Sequence, residues 1–454
     1  MKNRPQFSRF DRRTLIKGTS AGIAAAALAR GASVHPSVLA QSTFPAEGKP
    51  FAGAKLRVAM VAEPKPVMLK SLLGEFTDLT GIEVEFDDLA YPTLQEKQLT
   101  ALTQGGDTYD IVHVDGVWMG QYAGNGWIGS VQDLVDATDP EVLNLPDFLP
   151  ALVSELSEWD GELYGLPFDT SVMMFYYRPS LLEKYNLEVP QTWDDVLAAA
   201  TAITAGEQGN DVYGITLMAK RGVQLGCTYA NLLGSYGGRF YDENFKSTLT
   251  EPAAVSALET LVALVGQANP GSLAQDYDEG DAFFSGGQAA MFIQWNDSIP
   301  AYGDPERSKI VDDWDVAVMP GQPQDDGAIL QTPVLGGWNV GILTDTPNRD
   351  AAWEFMLWAT SPEMEARLAE AQPPARESVL SDPDMVAKFP QYPAMLDSFG
   401  LGWGRPRIPE WPQMADAIEA SLSAAVSGDS SPEDALSEAN SLVDQILMAA
   451  GLQQ

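Results

Sequence analysis

Residues 161–203 read GELYGLPFDTSVMMFYYRPSLLEKYNLEVPQTWDDVLAAATAI and join a solvent-facing turn, a β-run, an aromatic run and a capped helix. Residues 163–167 are extended, because a proline pushes the residue before it out of the helical region. Residues 172–177, VMMFYY, are continuously apolar and aromatic, as a buried strand should be. Thr192 followed by Asp195 reads as a capping-box-like helix start, with Ala- and Leu-rich turns after it.

Upstream, strands and helices alternate. A short lead with Pro and Gly, 41–53, precedes a β-run at 55–62. Residues 67–79 carry Met68, Leu69, Leu72, Leu73, Phe76 and Leu79 at helical spacing, and Gly81 closes the helix. Residues 82–89 are the next strand, 92–104 a helix ended by Gly105-Gly106, and 110–115 the third strand. This βαβαβ order implies a largely parallel sheet with right-handed crossovers. Ligands of such sheets sit outside the carboxyl ends of the strands. That rule places Glu63, Tyr91 and residues 115–118 at a candidate cleft.

Downstream, 252–267 and 277–287 read as helices, and 289–295, 314–319 and 338–343 as strands. Residues 322–327 look like a flexible polar loop. The C-terminal third is helical. Thr346-Pro347, Ser361-Pro362 and Ser431-Pro432 each set a capping residue before a first-turn proline. There is no internal repeat, glycine-rich phosphate loop or low-complexity tract.

The first forty residues read as an export signal. Asp11-Arg12-Arg13-Thr14-Leu15-Ile16-Lys17 resembles the twin-arginine motif. The apolar run 18–29 is too short to span a bilayer, Arg30 follows it, and Val38-Leu39-Ala40 offers a cleavage site. With no Cys near that site, a free periplasmic protein of 414 residues is expected, long enough for two lobes. It carries 20 Lys/Arg and 62 Asp/Glu, a formal charge of −42. Such a surface repels nucleic acid and anionic membranes; it reads either as a solvated acidic surface or as a hint of a cationic ligand. Cys227 is the only cysteine, so no intrachain disulfide forms, and His113 is the only histidine outside the signal. Cys/His zinc clusters are thereby excluded, as are triads needing a histidine elsewhere. His113 is expected in a strand beside the cleft.

Residues 161–203 resemble the first interdomain crossover of the family 1 extracellular solute-binding proteins of ABC importers, the maltose-binding-protein-like group. Further segments resemble that family in order: 107–128, then FFSGGQAAMFIQWNDS at 283–298, then 314–320, 336–343, 351–361, and Pro373-Pro374-Ala375-Arg376. The resemblance implies an α/β, two-lobed periplasmic-binding-protein fold of type II-like topology, with the ligand cleft between discontinuous lobes. The lobes would comprise 41–168 and 296–345 on one side, and 169–295 and 346–454 on the other. Crossovers would fall near 167–171, 294–298 and 343–347. It also implies a monomeric carrier with no catalytic residues, cofactor or metal, which passes a carbohydrate to ABC permease transmembrane subunits after export by the twin-arginine translocase.

Sugars offer an apolar ring face and a rim of hydroxyls, so their sites need aromatic planes and fixed polar side chains. Trp295, at a predicted crossover, is the candidate stacking ring, with Asn296 beside it; interlobe packing is the alternative. Trp338 follows Gly336-Gly337 and is pocket wall or strand core. Asp115 and Asp169 would accept from hydroxyls or cap the next element. Arg376 would donate in a fork or pair with a surface acid. Glu63, Tyr229 and Trp118 complete the candidate set. Within the fold, a polyol or charged small solute is the nearest alternative ligand. A glycoside hydrolase with two carboxyls ~5–10 Å apart is the rival enzyme, and a structural adhesin is a third reading.

Overall fold

A computed structural model describes residues 44–103 and 108–453. The signal segment expected over 1–40 and the Gly105-Gly106 helix stop lie outside the described residues.

The parallel start follows the expected order. Strand β1 (Lys55–Val61) pairs with β2 (Glu83–Leu89) on one side and β3 (Ile111–Asp115) on the other, both parallel. The helices Pro64–Thr80 and Tyr91–Thr103 form the crossovers. The first begins at Pro64 rather than 67, since proline suits a first helical turn, where no amide donor is needed. After a small hairpin, β4 (Glu158–Trp159) with β5 (Glu162–Leu163), comes β6 (Leu166–Tyr177), the long strand read from the aromatic run.

Two partners divide β6 between them. Leu166–Val172 pairs antiparallel with β11 (Val334–Ile342), while Met173–Tyr177 pairs with β7 (Met291–Trp295) and Phe175–Tyr177 also with β8 (Asp315–Ala317). The sheet runs β2-β1-β3-β11-β6-β7, and the short β12 (Trp403–Gly404) lies parallel to the start of β11. β11 begins at Val334 rather than 338; Gly336-Gly337, a pair depleted in strands, hides the extra pairing. Residues 322–327 are not an open loop: β9 (Gln322–Pro323) and β10 (Ile329–Leu330) close them into a hairpin.

Two apolar clusters stand on either side of this strand system. One packs β1 and the helix Pro64–Thr80 against the helix Arg349–Ala359, where Phe76 meets Phe355 edge-on at 5.5 Å and Trp358 at 5.1 Å. The other contains the helices Val223–Ser235, Pro252–Gln267, Trp411–Val426 and Pro432–Ala449 with the second half of β6. Packing cuts across the segments expected at 296–345 and 346–454. β8 belongs with the far end of β6, because it pairs there. The helices Arg349–Ala359 and Pro362–Leu368 belong with β1, because their aromatic and Leu side chains fill its core. Thr346-Pro347 does not start a helix; Thr346 Oγ1 donates to Asp110 Oδ1, and the helix begins at Arg349. Thr192, Ser361 and Ser431 do cap their helices, and Thr192–Asp195 forms the full reciprocal box.

Candidate functional site

A cavity of about 210 Å³ opens between the carboxyl end of the β1–β3 sheet and the two helices Val223–Ser235 and Trp411–Val426. Tyr91 and Trp118 form its wall from the first lobe; Cys227, Trp411 and Glu419 form the opposite wall, with Arg405 between. Sheet topology explains the first wall. Asp115 ends β3, and its Oδ1 accepts from the Val117 amide at 3.2 Å, which turns the chain and points Trp118 inward. Its Oδ2 accepts from the Tyr91 hydroxyl at 3.0 Å. Asp115 thus caps a turn and faces the cleft at once.

The aromatic side chains form one continuous surface. The Tyr91 ring lies 5.2 Å from Trp118 and 5.6 Å from Trp338, and Trp338 stacks on His113 at 4.7 Å and 19°. In the sheet Trp338 stands between Asp115 on β3 and Asp169 on β6. Trp295 ends β7 and lies flat against β11, because Gly336 has no side chain: a Cβ there would be 2.9 Å from the ring. Its Nε1 donates to Gln224 Oε1 at 2.8 Å.

Arg405 is the cation of the cavity. Its side chain is 7% exposed, yet its Nε has no hydrogen-bond partner, and its nearest acid oxygen, Asp115 Oδ1, is 4.0 Å away. The guanidinium sits 6.0 Å from the Trp295 ring. Five N–H donors in a rigid fork are therefore held beside an aromatic plane. A buried donor without a partner is costly, and the Arg405 Nε can donate to a molecule that enters the cavity.

The carboxylates nearby are shifted toward the neutral form. Burial pushes Asp169 to about 7, against the Lys65 charge and with help from Glu365 and Asp297. Burial likewise lifts Asp297 to about 7 and Glu419 to about 7. Glu63, partly exposed at the start of the helix Pro64–Thr80, is raised well above its ordinary value by burial and by Asp169 and Asp297. Its Oε2 accepts from Gln372 at 3.2 Å.

Of the nine residues read from sequence, Trp118 lines the cavity, Asp115 and Trp338 stand behind it against Tyr91, and Trp295 faces Arg405; Glu63 and Asp169 are not among the lining residues. The other three have their polar groups engaged elsewhere. The Tyr229 hydroxyl donates to the Ala254 carbonyl at 3.1 Å and ties two helices together. Asn296 bridges the strands: its Oδ1 accepts from the Val172 amide at 2.8 Å and its Nδ2 donates to the Thr170 carbonyl. Arg376 is 1% exposed, donates to the Thr360 and Leu143 carbonyls and to Asp147, and lies 4.0 Å over Phe148. Sequence reasoning missed Arg405 and Glu419. The available signal was WGRPRIPEW at 403–411, two arginines around a proline in an otherwise acidic chain. Among the described residues, no cluster of three or more His, Cys, Asp or Glu is arranged to hold a metal ion.

Comparison with known proteins agrees with this architecture. Residues 64–366 match the family model for bacterial extracellular solute-binding proteins. A probable amino-acid ABC transporter periplasmic-binding protein of Sinorhizobium fredii is 26% identical over 413 residues, covering 89% of this chain and 91% of the relative. A solute-binding protein of Agrobacterium radiobacter, solved with ribitol, superposes with a TM-score of 0.80 at 28% identity, over 87% of this chain and 100% of that one. One from Agrobacterium vitis, solved with D-mannitol, gives 0.76 at 27% identity, over 88% and 99%. These are two-lobed binding proteins, and the chain has their mixed α/β fold. With two thirds of its length matched by the family model, this chain belongs to the bacterial extracellular solute-binding proteins.

Proposed function

We propose that the chain is the periplasmic substrate-binding subunit of an ABC importer, which captures a sugar or polyol and delivers it to a membrane permease. The observation that carries this is the buried Arg405 guanidinium, whose Nε has no hydrogen-bond partner, beside the Tyr91, Trp118, Trp295 and Trp338 surface. Aromatic planes take the C–H face of a polyhydroxyl compound, and the fork and Asp115 take its hydroxyls. The cavity lies below the ~300–1,000 Å³ of drug-sized ligand sites, which suits one sugar ring or a linear polyol better than an oligosaccharide. Relatives solved with ribitol and D-mannitol support the same class. Closure of the lobes about β6 would retain the solute, with ligand favouring the closed state. Export through the twin-arginine translocase, cleavage near Ala40 and a monomeric mature form complete the reading.

The test is a thermal-shift screen of residues 41–454 with pentitols, hexitols, mono- and disaccharides and amino acids. A ligand confined to the folded state adds ~2.7 kcal/mol at 100 times its dissociation constant. The expected result is a hit among polyols or monosaccharides without turnover of an aryl glycoside. A response to amino acids alone would overturn the sugar assignment, and aryl-glycoside hydrolysis would overturn the binder.

A further inference from the structure

We infer that Glu419 is a specificity-determining residue of the cavity: it accepts a hydrogen bond from a hydroxyl of the captured solute, and its charge turns away solutes that carry a carboxylate. This rests on the sugar-or-polyol reading above.

Three observations place Glu419 in that role. It lines the cavity from the helix Trp411–Val426, and no hydrogen bond to it is formed by any described residue. The facing helix makes room for it. A Cβ at Gly226 would lie 3.2 Å from Glu419 Oε1 and 3.3 Å from its Cγ, so an added methyl would press the carboxylate aside by a few tenths of an ångström. The other lining acid is already answered: Asp416 is paired with Arg221 at 2.8 Å. Asp115, behind the cavity, accepts from Tyr91 and Val117. Glu419 is therefore the lining carboxylate with no protein donor of its own, as Arg405 is the lining cation with an unused donor.

The chemistry of that pair selects the solute. A hydroxyl both donates and accepts, so neighbouring hydroxyls satisfy Arg405 and Glu419 together. A carboxylate only accepts. It would gain Arg405, the single cation lining the cavity, but would face Asp115, Asp416 and Glu419. Like charges brought together out of water repel strongly. Burial also holds Glu419 near neutrality in its titration, opposed by Arg405 and Arg221 and supported by Asp416 and Asp276. A hydroxyl donor favours the ionised form, so polyol affinity should rise between pH 6 and 8.

The experiment is calorimetric titration of the full mature chain with D-mannitol, ribitol and D-mannonate at pH 8. The wild type is expected to bind a polyol at least tenfold more tightly than mannonate. Glu419→Gln should weaken the polyol by about tenfold or more, the range for a hydrogen bond to a charged group, and should narrow the mannitol-to-mannonate ratio. Gly226→Ala should weaken the polyol in the same direction without lowering the melting temperature, since alanine favours a helix. A Glu419→Gln protein with wild-type affinity and ratio would sink the inference while leaving the parent reading intact. If that variant does not fold, Gly226→Ala with wild-type affinity does the same. A wild type that binds no sugar or polyol overturns both.

Discussion

His113 Nε2 lies 3.3 Å from Asp169 Oδ2, with both side chains almost wholly buried and no properly aligned hydrogen bond to either. Burial, then the Lys65 charge, holds the imidazole neutral; burial holds the carboxyl up at about 7. Around neutral pH the pair is a neutral ring beside a carboxyl that readily gives up or takes a proton, directly behind the Trp338 wall.

Stability should therefore fall as pH rises from 5 to 7.5. Asp169, Asp297 and Glu354 all titrate near 7 in the fold, against ~4 unfolded. A raised carboxyl contributes stability that is fully present below the unfolded value and is lost as pH climbs through the folded one. His113, depressed by burial, works in the opposite sense below ~6.5, but it is one group against these three and Glu419, which is also lifted to about 7. The melting temperature of the ligand-free protein should be several degrees higher at pH 5 than at 7.5, and Asp169→Asn should flatten that slope. A melting curve insensitive to pH over this window would contradict the assignment.

Lys65 and Glu365 form an ion pair at 3.0 Å with both side chains fully buried. Lys65 also donates to the Phe168 carbonyl, and Glu365 accepts from the Ala375 amide. Removing one partner strands the other charge, so Lys65→Met should cost ~3–5 kcal/mol in urea unfolding. The double variant Lys65→Met, Glu365→Leu should recover part of that loss. Equal losses in the single and double variants would show that the pair is not coupled.

Gly336→Ala should weaken ligand binding more than it lowers stability. Its methyl would meet the Trp295 ring at 2.9 Å and tilt the plane proposed to carry the solute. At least a tenfold loss of affinity is expected, with far-ultraviolet dichroism unchanged. Trp193→Ala gives the contrast. That ring is fully buried, with Nε1 bonded to Ser235 at 2.8 Å, so its loss should cost ~3–5 kcal/mol of stability and leave the site's preference intact.

Thr192→Ala should cost ~1 kcal/mol, because it removes the Oγ1 that accepts from the Asp195 amide at the start of the helix Trp193–Glu207, while the Thr192 amide keeps its bond to the Asp195 carboxylate. No change in the denaturant midpoint would argue that tertiary packing alone holds this terminus.

Local chemistry explains what was legible in the sequence. The aromatic run at 172–177 and the box at Thr192 are short-range signals, and both stand in the structure as read. Asp115 and Trp118 followed from one topological rule about strand ends. Arg376 did not follow: a guanidinium buried under Phe148 with carbonyl partners and one poised in a cavity look alike in sequence. What separates Arg376 from Arg405 is which groups from 200 or more residues away reach them, and no local pattern carries that. The packing of 349–368 against the first helix was not legible for the same reason, since Phe76 and Trp358 meet only in three dimensions.

The twelve-residue strand β6 serves both lobes, and its pairing with β11 slips by one residue between Trp338 and Asn339, opposite Asp169 and Pro167. Such an irregularity is where a strand bends most easily. The irregular step therefore coincides with Asp169, whose carboxyl oxygens are unpartnered. The same step carries Trp338, whose ring meets Tyr91 on the cavity wall, so a bend of β11 there would move that wall without any relay of side chains.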